Sequence, residues 1–210
     1  MWPAFVCPHP TSSSLRRGTN LDPRAGRRYG LRPHLWRRST GRRLSPRGQY
    51  KKESWDRQAQ TLAASGFRVV AFDFRGSEQG RRFDVLAAVH YLRQTGAKTV
   101  SVVGASMGGD YAAEAAEAEP DAIDRLVLLA TGAYTPLVHA KTRKLFILSR
   151  DDFMGDDRKP RLPGIRAQFE KASGPKKLML LDGSAHAQAI FATDQGDRLM
   201  REILRFLSSR

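Results

Sequence analysis

The sequence holds a single cysteine, Cys7, so no internal disulfide can form and a disulfide-stapled secreted scaffold is excluded. Long apolar runs are missing. The longest uncharged stretches, such as residues 126–140, fall short of the roughly 18 apolar residues that would suggest a transmembrane helix, and Gly132 and Pro136 interrupt that one. The first 15 residues contain three prolines and no continuous apolar core, a poor secretory signal. No metal-ligating cluster and no phosphate-binding glycine loop is present, so neither a metal nor a cofactor is expected. Acidic residues are nearly absent from one end. Residues 1–52 hold 11 Arg and 2 Lys against one acid, Asp22, which places +12 of the formal net charge of +15 there. The remainder carries only +3. The total would otherwise suggest nucleic acid or an anionic membrane as partner; the body of the chain has an ordinary, nearly balanced surface.

Residues 1–48 are rich in Arg, Pro, Ser and Gly, without a strand or helix period. Stretches such as Arg37-Arg38-Ser39-Thr40-Gly41-Arg42-Arg43 bury too little apolar area to offset the entropy of ordering, so this arm is expected to be disordered. It reads as a nucleic-acid-binding arm, as a transit peptide, or as sequence foreign to the fold. Its aromatics are few (Trp2, Phe5, Tyr29, Trp36, Tyr50), which speaks against base stacking.

From residue 53 the pattern is regular, and 210 residues suit one α/β domain, here 49–210. Trp55, Ala59, Leu62 and Ala63 lie at helical spacing before Gly66, and Val85, Leu86, Val89 and Leu92 mark a helix ending near Gly96. Apolar or β-branched runs at 67–72, 99–103, 126–129, 145–148 and 178–181 predict strands; 111–118 is Ala-rich and helical, and Leu199, Ile203, Phe206 and Leu207 mark a closing helix. Strands alternating with helices predict a mostly parallel sheet flanked by helices. The link 131–142 is too short for a separate lid domain.

The strand at 99–103 runs into Gly104-Ala105-Ser106-Met107-Gly108-Gly109, after which a helix starts. This is G-x-S-x-G at a strand-to-helix turn, the arrangement that exposes a strained serine hydroxyl and points helix N–H groups at developing negative charge. The motif alone carries little weight; its context carries more. A serine needs a base. Of five histidines, His9 and His34 lie in the arm, His90 in a helix, and His139 before any candidate acid; His186 follows a late strand and the turn Gly183-Ser184-Ala185 and fits best. An acid to orient it follows the strand at 145–148 as Asp151-Asp152; spacing favours Asp152, with Asp151 the alternative.

The order Ser106, Asp152, His186 together with Asp73-Phe74-Arg75-Gly76 after a strand resembles the α/β-hydrolase superfamily, most closely small lidless esterases of the dienelactone-hydrolase type, from about Gly48 to the C-terminus. The resemblance implies an α/β-hydrolase fold and a serine esterase that hydrolyses an ester or related acyl bond of a small molecule through an acyl-serine intermediate. It implies Ser106 as nucleophile, His186 as base then acid, Asp152 orienting it, and the Met107 N–H as one oxyanion donor. The second donor in that family comes from a His-Gly loop after an earlier strand. At the matching place stands Ser45-Pro46-Arg47-Gly48, and the apolar strand before it is missing, so the fold is expected to lack its first strands, its two neighbours either pairing directly or taking another segment between them, and residues 1–47 to be foreign to it. Two rivals follow: a hydrolase-like protein with impaired or no catalysis, and a nucleic-acid binder working through the arm. A cytoplasmic location is expected, with organellar targeting by the arm as the alternative.

Overall fold

The computed structural model describes residues 4–8, 34–36, 52–75, 80–132, 134–155 and 158–209. Among them the chain runs β1 (Ala4–Pro8), β2 (His34–Trp36), α1 (Asp56–Ala64), β3 (Phe67–Ala71), α2 (Arg81–Gln94), β4 (Ser101–Ala105), α3 (Met107–Ala118), β5 (Arg125–Leu129), β6 (Arg143–Ser149), a short hairpin of β7 (Phe153–Met154) and β8 (Lys159–Pro160), α4 (Leu162–Lys171), β9 (Lys176–Leu181) and α5 (Gly196–Ser208). A seven-stranded sheet has the order β2-β3-β1-β4-β5-β6-β9. Strands β4, β5, β6 and β9 are parallel in register. They are the β-branched and Leu-rich runs of the sequence, and β4 is buried at every position, as a strand covered on both faces requires.

The helices are placed by their apolar faces. α1 packs on β3, α3 on β4 and β5, and α2 against α3. The buried side of α3 is Gly108, Gly109, Ala112, Ala113, Ala115 and Ala116, small residues that let the helix approach the sheet closely. α5 buries Leu199, Ile203 and Leu207, four residues apart.

Two differences from the sequence reading stand out. The gap left by the missing strand is filled from the arm: β1 lies between β3 and β4, antiparallel to both, pairing Ala4–Pro8 with Phe67–Ala71 and Ala4, Phe5 and Val6 with Val103, Val102 and Ser101. β2 adds to the outer edge of β3. The sheet therefore takes two strands, β1 and β2, from outside 49–210. The physical reason is the pair of open edges: buried N–H and C=O groups on β3 and β4 need partners, and Ala4-Phe5-Val6-Cys7 is an apolar run able to supply them, with Pro8 at its end where a missing N–H matters least. The rest of the arm, including Ser45-Pro46-Arg47-Gly48, lies outside the described residues. The second difference is α4, for which the sequence gives no signal: only Ile165 and Gln168 on it are buried, too few to set up a period.

One buried charge ties the link after β5 to the loop before β9. Lys144, 1% exposed on β6, donates from Nζ to the carbonyls of His139 (2.7 Å), Thr142 (2.8 Å) and Ser173 (2.8 Å). Burial pushes its ammonium below the usual lysine range, opposed by the charge of Glu117.

Candidate active site

Three loops leave the carboxyl ends of parallel strands and converge: the turn at Ser106 after β4, the turn at Asp152 after β6, and the loop carrying His186 after β9. Such a crevice outside the strand ends is where open α/β sheets bind ligands.

Ser106 sits at φ 48°, ψ −128°, in the left-handed region that L-residues rarely adopt. It is held there from both sides. Its N–H donates to Leu129 O (2.8 Å) on β5, and its carbonyl accepts from the Gly109 N–H (2.8 Å) in the first turn of α3. The close approach that makes the turn possible is between Gly104 and Gly109, one residue beyond the G-x-S-x-G pattern. A Cβ on Gly104 would lie 2.6 Å from Gly109 Cα and 2.7 Å from Gly108 O, both backbone atoms.

The β6 and β9 loops are knitted together. The Arg150 N–H donates to Leu181 O (2.8 Å) and the Asp151 N–H to Gly183 O (3.0 Å). Ser149, fully buried at the end of β6, donates from Oγ to Ala185 O (2.7 Å), the residue before His186. These bonds bring His186 over Asp152. His186 Nδ1 lies 2.8 Å from Asp152 Oδ2, and His186 Nε2 lies 2.9 Å from Ser106 Oγ. An ionised carboxylate only accepts, so Nδ1 carries the proton and Nε2 is left as the acceptor facing the serine hydroxyl.

Asp152 is 1% exposed while His186 keeps 29% of its side chain open to solvent, so the acid is sealed and the imidazole is reachable. The other carboxylate oxygen of Asp152 is 3.6 Å from Arg161 Nε, and the Arg161 N–H donates to Asp152 O (2.9 Å). The adjacent pair of aspartates is thereby separated: Asp152 reaches His186, while the Asp151 side chain is exposed and only its N–H joins the bonds between the two loops. His90 bonds Glu119 (2.6 Å) and His139 faces Glu117 (3.7 Å), both away from Ser106; His9 lies outside the described residues.

Met107 is the first residue of α3, where backbone N–H groups have no intrahelical acceptor, and it is exposed. Arg81 donates to Met107 Sδ (3.0 Å) and to Tyr111 Oη (3.3 Å), and lies 5.4 Å from the Tyr111 ring centroid. Among the described residues, the strand beside β4 runs the opposite way from the one expected to lead into the second-donor loop. β1 runs opposite to β4, so Ala4 is at the Ser106 end and Pro8, paired with Phe67, is at the far end of the sheet. Ser149, Arg161 and Arg81 are the residues that sequence reasoning missed. For Ser149 a signal existed, a lone hydroxyl closing a buried apolar strand. Arg161 and Arg81 stand among many arginines and have none. Among the described residues no group of His, Cys, Asp and Glu could hold a metal ion, and no helix is long and apolar enough to cross a membrane.

Residues 49–170 match the family described as alpha/beta hydrolase fold. A comparison with curated protein sequences found no match. Solved structures with a similar fold include a monoacylglycerol lipase of Paleococcus ferrophilus, 15% identical, covering 84% of this chain and 98% of that one, with a TM-score of 0.66. A dienelactone hydrolase of Anabaena variabilis is 17% identical over 84% of this chain and 96% of its own, with a TM-score of 0.60. An esterase of Pyrococcus furiosus is 18% identical over 74% of each chain, with a TM-score of 0.59.

Proposed function

The chain belongs to the α/β hydrolase fold family, and from that premise we propose that it is a serine hydrolase cleaving an ester or related acyl bond of a small molecule. The observation that carries this reading is the unbroken chain of hydrogen bonds from Ser106 Oγ through His186 to the sealed Asp152. His186 Nε2 takes the hydroxyl proton as Ser106 Oγ bonds to the acyl carbon, and the carbonyl electrons move onto its oxygen. The Met107 N–H and the N-terminus of α3 face that developing charge. Collapse of the intermediate breaks the bond to the leaving group, which takes the proton from His186. Water then repeats the sequence against the acyl-serine and releases the acid. Asp152 holds the imidazole in the tautomer this requires and stabilises its protonated form.

The direction of β1 favours a second reading, a hydrolase-like protein with little turnover, because a missing oxyanion donor costs about 10²–10³ in rate. The test is turnover of short p-nitrophenyl esters. The serine-hydrolase reading expects measurable hydrolysis that falls by roughly 10⁵–10⁶-fold in Ser106→Ala while the fold is retained. Equal activity in that variant would remove Ser106 from the mechanism, and a folded wild type without turnover would favour the second reading.

A further inference from the structure

Away from the residues placed at the active site, a groove of about 680 Å³ runs between β9 and α5. It is lined by four consecutive strand residues, Lys177, Leu178, Met179 and Leu180, and by Arg198, Arg201, Glu202 and Arg205 of the helix. Successive strand side chains point to opposite faces, so a groove touching four in a row must follow the edge of the strand, where the backbone itself is accessible. β9 is such an edge: it pairs with β6 on one side and closes the sheet on the other. The helical residues stand three, four and seven positions after Arg198, a single face of α5 set along that edge.

The charge of this face is one-sided. Glu202 is buried and bound by Lys177 and Arg205, while Arg198 makes only a 3.3 Å bond to Gln195 and Arg201 has no acidic partner among the described residues. Four cations against one carboxylate leave three positive charges in the lining. Leu178 and Leu180, half-buried, alternate along the same strand with exposed Lys177 and buried Met179. A second copy of this edge would meet its own lysines and arginines, which is how proteins discourage edge-to-edge pairing.

We propose that the β9–α5 groove is a docking site for an extended acidic peptide segment that adds to the sheet as a further strand. The backbone of β9 supplies N–H and C=O groups to it, and Arg198 and Arg201, the lining cations not held by Glu202, face its carboxylates. Affinity then comes from main-chain bonds and specificity from charge.

The test uses the full chain and a fluorescent peptide in which Glu alternates with Val, followed by anisotropy and by amide hydrogen exchange. Binding is expected with slowed exchange in 176–181. The exposed double substitution Arg198→Glu/Arg201→Glu should weaken it at least about tenfold, and a peptide of equal charge with prolines in place of valines should bind the wild type as poorly. Absence of β9 protection overturns the proposal. So does undiminished binding by the double variant, which would assign the peptide to the basic N-terminal arm, or equal binding of the proline peptide, which would mean charge attraction without strand addition. Protection of β9 without peptide, with a sedimenting dimer that the double variant dissociates, would give the edge to a second copy instead.

Discussion

Asp151 and Asp152 are adjacent carboxylates of the same intrinsic chemistry, and their neighbours separate them. The Asp151 N–H is used to bind the β9 loop and its side chain faces water, whereas Asp152 is sealed between His186 and Arg161. Asp152→Asn keeps the size but presents an amide to Nδ1, which favours the wrong imidazole tautomer; kcat should fall by roughly 10⁴-fold. Asp151→Asn should leave kcat within about twofold, since it touches neither His186 nor Ser106 and exposed substitutions have small effects. Equal losses in the two variants would mean that the loop, not one carboxylate, orients the histidine. At this scale the sequence is readable where chemistry demands a particular residue type in a particular context. Ser106 announces itself by its glycines and His186 by its place after a late strand. Ser149 and Arg161 do not, because their roles depend on which loops meet, and that is decided by the whole sheet.

At the scale of elements, the turn at Ser106 depends on α3 lying almost against β4. Gly104→Ala would drive a methyl group into backbone atoms of Gly108 and Gly109, which cannot give way as a flexible side-chain end would. The expected cost is about 1–3 kcal/mol, with loss of activity beyond what the remaining folded fraction explains, measured by denaturant titration beside ester turnover. Wild-type activity and stability in that variant would contradict the packing described. The parallel strands and the helices facing them are legible because burial on two faces or on one stripe writes a period into the residues. β4 is shifted by two residues from the run that predicts it, the ordinary uncertainty of strand ends. α4 is illegible for the opposite reason: a mostly exposed helix with Ile165 as its single buried apolar residue needs no period.

At the scale of the molecule, β1 is the surprise, and its position follows from a demand made elsewhere. Two inner strands cannot be left open between them, so a segment that looks like part of a charged arm becomes a central strand. A local reading cannot find this, since the partners of Ala4–Pro8 are some 60 and 100 residues away in the register with β3 and β4. Removal of residues 1–9 should therefore cost more than the arm's composition suggests. Each orphaned buried backbone group costs about 1–3 kcal/mol, several are exposed at once, and total stability is only of order 5–15 kcal/mol. The truncated chain is expected to lose its cooperative unfolding transition by circular dichroism. An unchanged midpoint would show that β3 and β4 close on each other without β1.

Ser106, Asp152 and His186 come together only if β4, β6 and β9 are correctly assembled, so the reactivity of one serine reports on the whole account. The most direct measurement is labelling of the purified protein with a fluorophosphonate, read by intact mass and peptide mapping. A single adduct on Ser106 that disappears in His186→Ala is the predicted result. A folded protein that takes no adduct, or one labelled equally well without His186, would contradict it.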